Sequence, residues 1–176
     1  MMYSLVYFMR YLEAEPDLYF ISQNAYKVSE TYDTFGLMLD ENIYFDYRFP
    51  RGALIQWLGI YPPHFKVQRL SNYFLAPGTM YKRKLHDLIG PPDIETFLAA
   101  ADLEYWLRIL YNNYKGHYIS TPTWFYRMSN YSTHNEIIDG VVNDGGFENP
   151  GHEQAAGNRV QDKYTKLVEE NKEKFI

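Results

Sequence analysis

The stretch DIETFLAAADLEYWLRILY, residues 93–111, carries the clearest structural signal in the chain. It opens with Asp93, a residue type that favours the N-terminal cap of a helix because its carboxylate accepts backbone N–H hydrogen bonds. Apolar side chains then recur at the spacing of one helix face, at Phe97, Leu98, Ala101, Tyr105 and Ile109. The pattern predicts an amphipathic helix over residues 94–111 that buries one face against the rest of the protein.

Segments with helical and with extended patterns alternate on both sides of this helix. Apolar spacing favours further helices at residues 2–14, 53–58, 81–89 and 161–175. Runs rich in β-branched and aromatic residues favour strands at residues 17–28, 43–45, 72–80, 117–120 and 123–128. The alternation predicts the α/β class, in which helices pack in layers on a sheet.

The amino-acid composition limits the classes of protein and of partner. The 176 residues fit one domain, and 46% hydrophobic with 22% charged residues is typical of a globular chain. The net charge of −5 and the lack of any basic run argue against nucleic acid as a partner, because phosphate binding needs clustered Lys and Arg. The lack of cysteine excludes disulfides and thiolate metal sites. The 18 tyrosines, 11 phenylalanines and 3 tryptophans fit either a wet binding pocket or ordinary sheet positions.

The sequence shows no targeting or anchoring pattern. No apolar run approaches the roughly 18 residues that a membrane span needs. The N-terminus lacks the basic and apolar regions of a signal peptide. The sequence therefore predicts a cytoplasmic protein without a membrane span.

Asp102 is the first candidate for chemistry. It follows Leu98 by four residues and precedes Tyr105 by three, which predicts a carboxylate on the apolar face of the helix. An ionised carboxylate on that face must be paired, bind a metal or face a cleft, because burial without partners is costly. Two interpretations stay open: a functional carboxylate, or an Asp at the helix edge that pairs with a nearby Arg or Lys.

Several short motifs occur in a fixed order along the chain. They are YLEAEPD at 11–17, GTMYKR at 78–83, IG at 89–90, ADLEYWLR at 101–108 and WFYR at 124–127. The ordered set resembles the acceptor-side, C-terminal half of family 2 glycosyltransferases of the GT-A fold, over residues 5–133. The resemblance implies a truncated domain at 1–133, a partial GT-A-like mixed sheet flanked by helices that lacks the N-terminal nucleotide-binding half. A polar Gly-rich loop at 134–160 and an amphipathic C-terminal helix at 161–176 follow.

The resemblance also implies candidate site residues, one position at a time. Asp102 matches the aspartate that takes the proton of the acceptor hydroxyl in inverting members, a role that suits a carboxylate. Candidates on the donor and diphosphate side are Gly78, Thr79 and Arg127. Candidates on the acceptor side are Tyr81, Trp106, Trp124 and Tyr126, with Trp57 and Tyr73 as further rings for stacking on a sugar. Arg108 matches a basic residue that we expect to be structural.

The sequence departs from the family pattern in three places. Ala101 stands where the family has Glu, and Ser129 stands where it often has His. The Asp-x-Asp turn that holds the divalent cation and the sugar nucleotide is lacking, and the resemblance places it before Met1. We therefore expect a fragment, a subunit of a split enzyme or a degenerate relative. No cofactor is expected in this chain, and Mn²⁺ or Mg²⁺ only together with the donor half.

Two functions follow from the resemblance. The first is part of a glycosyltransferase that moves a sugar from a nucleotide-sugar donor to a carbohydrate-type acceptor, with Asp102 as the base. The second is a non-catalytic domain, derived from such an enzyme, that binds a carbohydrate or a protein. Expected partners are a carbohydrate acceptor and, only with a complementary segment, a nucleotide sugar. A second copy or a partner subunit is expected on apolar surface left exposed.

Overall fold

The computed structural model describes residues 2–29, 31, 33–37, 47–49, 52–58, 60, 78–97, 100–127, 136–138, 141–143 and 152–175, and the statements below refer to these. Their helices are α1 (Met2–Ala14), α2 (Ala53–Leu58), α3 (Lys84–Ile89), α4 (Ile94–Phe97), α5 (Ala101–Tyr111) and α6 (His152–Glu170). Their strands are β1 (Leu18–Val28), β2 (Thr34–Leu37), β3 (Tyr47–Phe49), β4 (Met80–Tyr81), β5 (Lys115–Arg127), β6 (Glu136–Ile138) and β7 (Val141–Asn143). A 3-10 turn, Lys172–Lys174, follows α6.

A five-stranded sheet forms the centre of the fold. Its order is β2-β1-β5-β3, and β4 also pairs with β1. β1 and β5 run parallel, whereas the other three strands pair antiparallel with their neighbours. β6 and β7 form a separate antiparallel pair. A mixed sheet with packed helices confirms the predicted α/β class.

The predicted helices and strands that rest on a local sequence pattern agree with the structure. β1 and α2 lie within one residue of the predicted segments. Asp93 Oδ1 accepts the backbone N–H of Thr96 at 3.0 Å, which confirms the predicted helix start. The helix predicted over residues 94–111 corresponds to α4 and α5, with residues 98 and 99 outside the described residues. The strand predicted at 43–45 and the first part of that at 72–80 also lie outside them.

Two predicted boundaries near the site are wrong because sheet pairing overrides local pattern. Tyr81 does not begin a helix: it pairs with Phe20 in the ladder between β1 and β4, and α3 begins only at Lys84. β5 is one strand instead of the two predicted ones, because its ladder with β1 continues on both sides of Thr121-Pro122.

The C-terminal boundaries are also wrong. The segment 134–160, predicted as a loop, contains β6, β7 and the first turns of α6. α6 begins at His152, not at 161, and buries Ala156, Val160, Tyr164 and Val168 against the rest of the protein. Spaced by four residues, these side chains form one face of a helix that starts before the strongly periodic region.

The ladder between β1 and β5 contains a large bulge at residues 120–123 of β5, which we call the β5 bulge. Two register pairs, Gln23 with Ile119 and Ala25 with Trp124, flank it. Residues 120–123 of β5 therefore lie opposite a single residue of β1. The proline in this segment is tolerated because no ladder hydrogen bond there needs an N–H donor. Bulges of this kind redirect the side chains that follow them, here those of the site candidates at the end of β5.

Different helices cover the two faces of the sheet. Phe20 and Ile21, adjacent in β1, belong to separate apolar clusters, as expected for successive strand residues. α1 covers one face, where Phe8 and Leu12 pack with Ile21. The larger core on the other face includes Phe20, Leu54, Leu85, Leu107, Tyr118 and Tyr164. α5 and α6 both contribute to this core, through Leu107 and Tyr164.

Candidate functional site

Asp102 lies in the first turn of α5 with its side chain exposed. Its Oδ1 accepts the backbone N–H of Leu103 at 2.6 Å, and a carboxylate at this end of a helix is favoured by the helix dipole. The expectation that Asp102 lies on the buried face is wrong. Within the described ranges no Arg or Lys forms an ion pair with it. Its role as a general base stays a prediction.

Glu104, two residues further on, is the buried carboxylate of α5. It is 1% exposed, and its Oε1 accepts hydrogen bonds from Tyr164 OH at 2.8 Å and from Lys163 Nζ at 2.9 Å. Its Oε2 lies 2.9 Å from Nη2 of Arg108. These partners come from α5 and α6, so Glu104 joins the two helices.

Arg108 links α5 to the turn after α3. Its guanidinium donates to the carbonyl oxygens of Ile89 at 2.7 Å and Pro91 at 2.8 Å. The same group forms the ion pair with Glu104. The planar guanidinium suits several acceptors at once, and this arrangement agrees with the expected structural role of Arg108.

Four rings form what we call the α5 aromatic cluster: Tyr81, His86, Tyr105 and Trp106. The centroid of Tyr81 lies 5.4 Å from that of Tyr105 and 5.9 Å from that of Trp106. Tyr81 OH and His86 Nε2 are joined by a hydrogen bond of 3.0 Å. Two of the acceptor-side candidates, Tyr81 and Trp106, are therefore in contact.

The α5 aromatic cluster holds two buried donors. Tyr105 OH and Trp106 Nε1 are inaccessible to solvent and have no hydrogen-bond partner within the described part of the chain. Burial raises the pKa of Tyr105 from 10.0 to about 12, so the phenol keeps its proton at neutral pH.

Helix geometry places Asp102 beside this cluster. Tyr105 and Trp106 follow Asp102 by three and four residues, and residues at these spacings are neighbours on a helix surface. An exposed carboxylate and a half-buried indole therefore share one side of α5. This juxtaposition combines a proton acceptor with an apolar ring surface.

A second group lies at the end of β5 and contains Gly78, Trp124 and Tyr126. Gly78 has φ of +88°, and a Cβ there would lie 2.5 Å from Cε2 of the Trp124 indole. Only glycine therefore lets the backbone lie against this ring. The rings of Trp124 and Tyr126 meet edge to face at 6.0 Å, and Trp124 Nε1 is buried without a hydrogen-bond partner among the described residues.

The remaining candidates are more scattered. Thr79 is half-buried between Gly78 and β4, and Arg127 is exposed at the last position of β5. Trp57 is 3% exposed in the main core, which excludes it as a sugar contact. Tyr73 lies outside the described residues.

Sequence reasoning missed Gln23. Its side chain lies at the β5 bulge and contacts both Gly78 and Thr123. The available signal was a long amide side chain in the middle of a predicted strand, residues 18–28. Such a group must find hydrogen-bond partners if it lies near the core.

Comparisons with protein-family models, with curated proteins and with solved structures returned no match to this chain. Within the described residues, no group of three His, Cys, Asp or Glu side chains has the arrangement of a metal site. The helices of the described ranges include none with the length and apolarity to cross a lipid bilayer.

Proposed function

We propose that this chain is part of a glycosyltransferase that transfers a sugar from a nucleotide-sugar donor to a carbohydrate acceptor. The observation that carries the proposal is the exposed carboxylate of Asp102 one helix turn before the half-buried Trp106, with Tyr81 packed against the rings of Tyr105 and Trp106. We take the mixed sheet as the acceptor half of a GT-A-like fold. A cytoplasmic location and the exclusion of nucleic acid as a partner stay predictions.

In the proposed reaction the Asp102 carboxylate takes the proton of one acceptor hydroxyl. The hydroxyl oxygen then bonds to the anomeric carbon of the donor sugar, while the bond from that carbon to the diphosphate oxygen breaks. The nucleoside diphosphate leaves with the bonding electrons. A positioned base contributes about 10²–10⁴ to such a rate.

The acceptor would lie against the rings of Tyr81 and Trp106. Aromatic faces and edges give large contact area at low entropic cost, and the C–H faces of a pyranose match them in size and polarity. Trp124 and Tyr126 would extend this surface beyond the end of β5. Gly78, Thr79 and Arg127 are proposed on the donor side, where a guanidinium suits a diphosphate.

The divalent cation of such enzymes finds no matching ligands in the described residues, which contain no cluster of three candidate ligands. The proposal therefore assigns no step to a cation. A nucleotide sugar is proposed to bind only together with a complementary polypeptide segment that supplies the cation ligands.

The second candidate function is a non-catalytic carbohydrate- or protein-binding domain. It is favoured by the α5 aromatic cluster, which forms from α3, β4 and α5 alone and needs no donor site. The two functions share an acceptor surface and differ in whether Asp102 acts as a base.

The acceptor surface that the two functions share is tested by saturation-transfer NMR with neutral oligosaccharides of glucose, galactose, mannose and N-acetylglucosamine. We expect binding that Trp106→Ala weakens by about fivefold or more, the size of an aromatic contact of about 1 kcal/mol. Tyr7→Ala, which removes an exposed ring on α1, is the matched control. If the native protein binds none of these sugars, the carbohydrate function is contradicted in both forms.

The substitution Asp102→Asn tests the proposed role of Asp102 as the general base. Where sugar transfer from uridine or guanosine diphosphate sugars with Mn²⁺ is measurable, we expect it to fall by about 10²–10⁴, with oligosaccharide binding unchanged. Asp87→Asn, at an exposed position on α3, is the control. The assay includes the complementary segment that supplies the donor site. If oligosaccharides bind but this assembly shows neither transfer nor diphosphate binding in calorimetry, the enzyme is contradicted and the binding domain remains.

A further inference from the structure

The side chain of Gln23 bridges two segments that reach the candidate site from different parts of the chain. Its Nε2 donates to the carbonyl oxygen of Gly78 at 3.3 Å. Its Oε1 accepts a hydrogen bond from the hydroxyl of Thr123. One amide thus joins the segment before β4 to the β5 bulge.

The orientation of this amide follows from its partners. A carbonyl oxygen only accepts hydrogen bonds, so the NH₂ of Gln23 must face Gly78. Its oxygen then faces Thr123, whose hydroxyl supplies the proton. Neither a carboxylate nor an apolar side chain can make both bonds at position 23.

Both partners of Gln23 adjoin Trp124. Thr123 precedes it in β5, and Gly78 lies against its indole, so closely that a Cβ at position 78 would overlap the ring. The indole is half-buried and contacts Tyr126. Holding Gly78 and Thr123 at a fixed separation therefore fixes the slot that the indole occupies.

We propose that Gln23 is a positioning residue that sets the orientation of Trp124 by tying the Gly78 segment to the β5 bulge. It acts through Trp124 and does not itself touch the substrate. The consequence for acceptor binding rests on the function proposed above, whereas the effect on the indole does not.

Fluorine NMR of protein labelled with 5-fluorotryptophan tests this directly. The chain has 3 tryptophans, and Trp124→Phe assigns the resonance of interest. We expect Gln23→Leu and Thr123→Val each to shift or broaden the Trp124 resonance and to leave that of the buried Trp57 in place. Thr121→Val, at an exposed threonine in the same bulge, is the matched control and should move neither.

A Trp124 resonance that is unchanged in folded Gln23→Leu and Thr123→Val overturns the proposal. If circular dichroism shows that Gln23→Leu does not fold, Gln23→Glu decides instead. It keeps the acceptor for Thr123 and loses only the donor to Gly78, so we expect it to move the Trp124 resonance as well.

Oligosaccharide binding separates this proposal from the proposed function. If the native protein binds the oligosaccharides, we expect Gln23→Leu to weaken binding by about fivefold, the equivalent of one net hydrogen bond. If the native protein binds none, the proposed function fails while the fluorine spectra still decide whether Gln23 positions Trp124. Full binding by Gln23→Leu together with a displaced Trp124 resonance would contradict the link between the indole and the acceptor.

Discussion

Two carboxylates on one helix, two residues apart, have opposite environments. Asp102 is exposed, and among the described residues its one hydrogen-bond donor is the backbone N–H of Leu103, in its own helix turn. Glu104 is 1% exposed and contacts a lysine, a tyrosine and an arginine. A buried charge requires such partners, because water no longer solvates it. Glu104 therefore contributes to stability, whereas Asp102 is the candidate for chemistry.

Glu104→Ala should destabilise the protein by about 3–5 kcal/mol, the range for removing one partner of a buried ion pair. The change leaves the buried hydroxyl of Tyr164 without its acceptor and Arg108 without its ion-pair partner. Urea denaturation followed by circular dichroism measures the loss. Asp102→Ala is the control and should stay within about 0.5 kcal/mol of the native protein, as exposed positions usually do. Equal losses at the two positions would contradict this account.

At the scale of elements, the parallel pair of β1 and β5 depends on one close approach. Gly116 of β5 pairs in register with Phe20 of β1. A Cβ at Gly116 would overlap the Phe20 ring. Phe20 is fully buried and packs against the tilted ring of Phe49 of β3, with 5.2 Å between centroids. The ring thus fills the space that the missing side chain leaves, and it brings three neighbouring strands into one core.

We expect Gly116→Ala to cost about 1–3 kcal/mol or more, because the added methyl group overpacks the core. Gly157→Ala in α6 is the matched control. Among the described residues, a Cβ there would meet Leu103 alone, at 3.9 Å, an ordinary contact. A helical Gly→Ala change is stabilising by about 0.5–1 kcal/mol. Thermal or chemical unfolding should show opposite signs for the two variants, and a shared sign would refute the packing argument.

At the scale of the whole molecule, the two faces of the sheet are covered unequally. Among the described helices, α2, α5 and α6 bury a large core on one face, whereas α1 covers the other through a small cluster. The outer side of α1 has apolar side chains that are 43–59% exposed, namely Leu5, Val6, Tyr7 and Met9. Docking of a second copy or a partner subunit on exposed apolar surface stays a prediction.

The main core also contains tyrosines that resist ionisation. Burial raises the pKa of Tyr105 from 10.0 to about 12. Burial, followed by the nearby Glu104 carboxylate, also raises the pKa of Tyr164. The folded protein therefore holds these protons more tightly than the unfolded chain does, and their contribution to stability is complete only below the unfolded pKa.

The free energy of unfolding should consequently fall as the pH rises from 10.0 towards about 12. Tyr105→Phe should make this fall shallower, because one of the linked protons is removed. Urea denaturation at a series of alkaline pH values measures the slope, with Tyr26→Phe, at an exposed tyrosine, as the control. An unchanged slope in Tyr105→Phe would argue against a linked proton at this position.

Features that depend on neighbours in sequence were predictable. The helix start at Asp93, the strand β1 and the short helix α2 each follow from a local pattern and a local stop signal. The alternation of these elements was enough to predict the α/β class. The sequence also placed Tyr81 and Trp106 among the site candidates, and the fold brings these two rings together.

Features that depend on residues far apart in sequence could be identified only from the tertiary structure. Most residues of α5 are buried, and they lie on more than one side of the helix. A periodic apolar pattern therefore does not reveal which carboxylate is buried. Local propensity also misplaced Tyr81, because pairing with β1 outweighs helix preference there. The Gln23 bridge joins positions separated by 55 and 100 residues. Groups that far apart in sequence meet because β1 pairs with both β4 and β5, and no local pattern records that pairing.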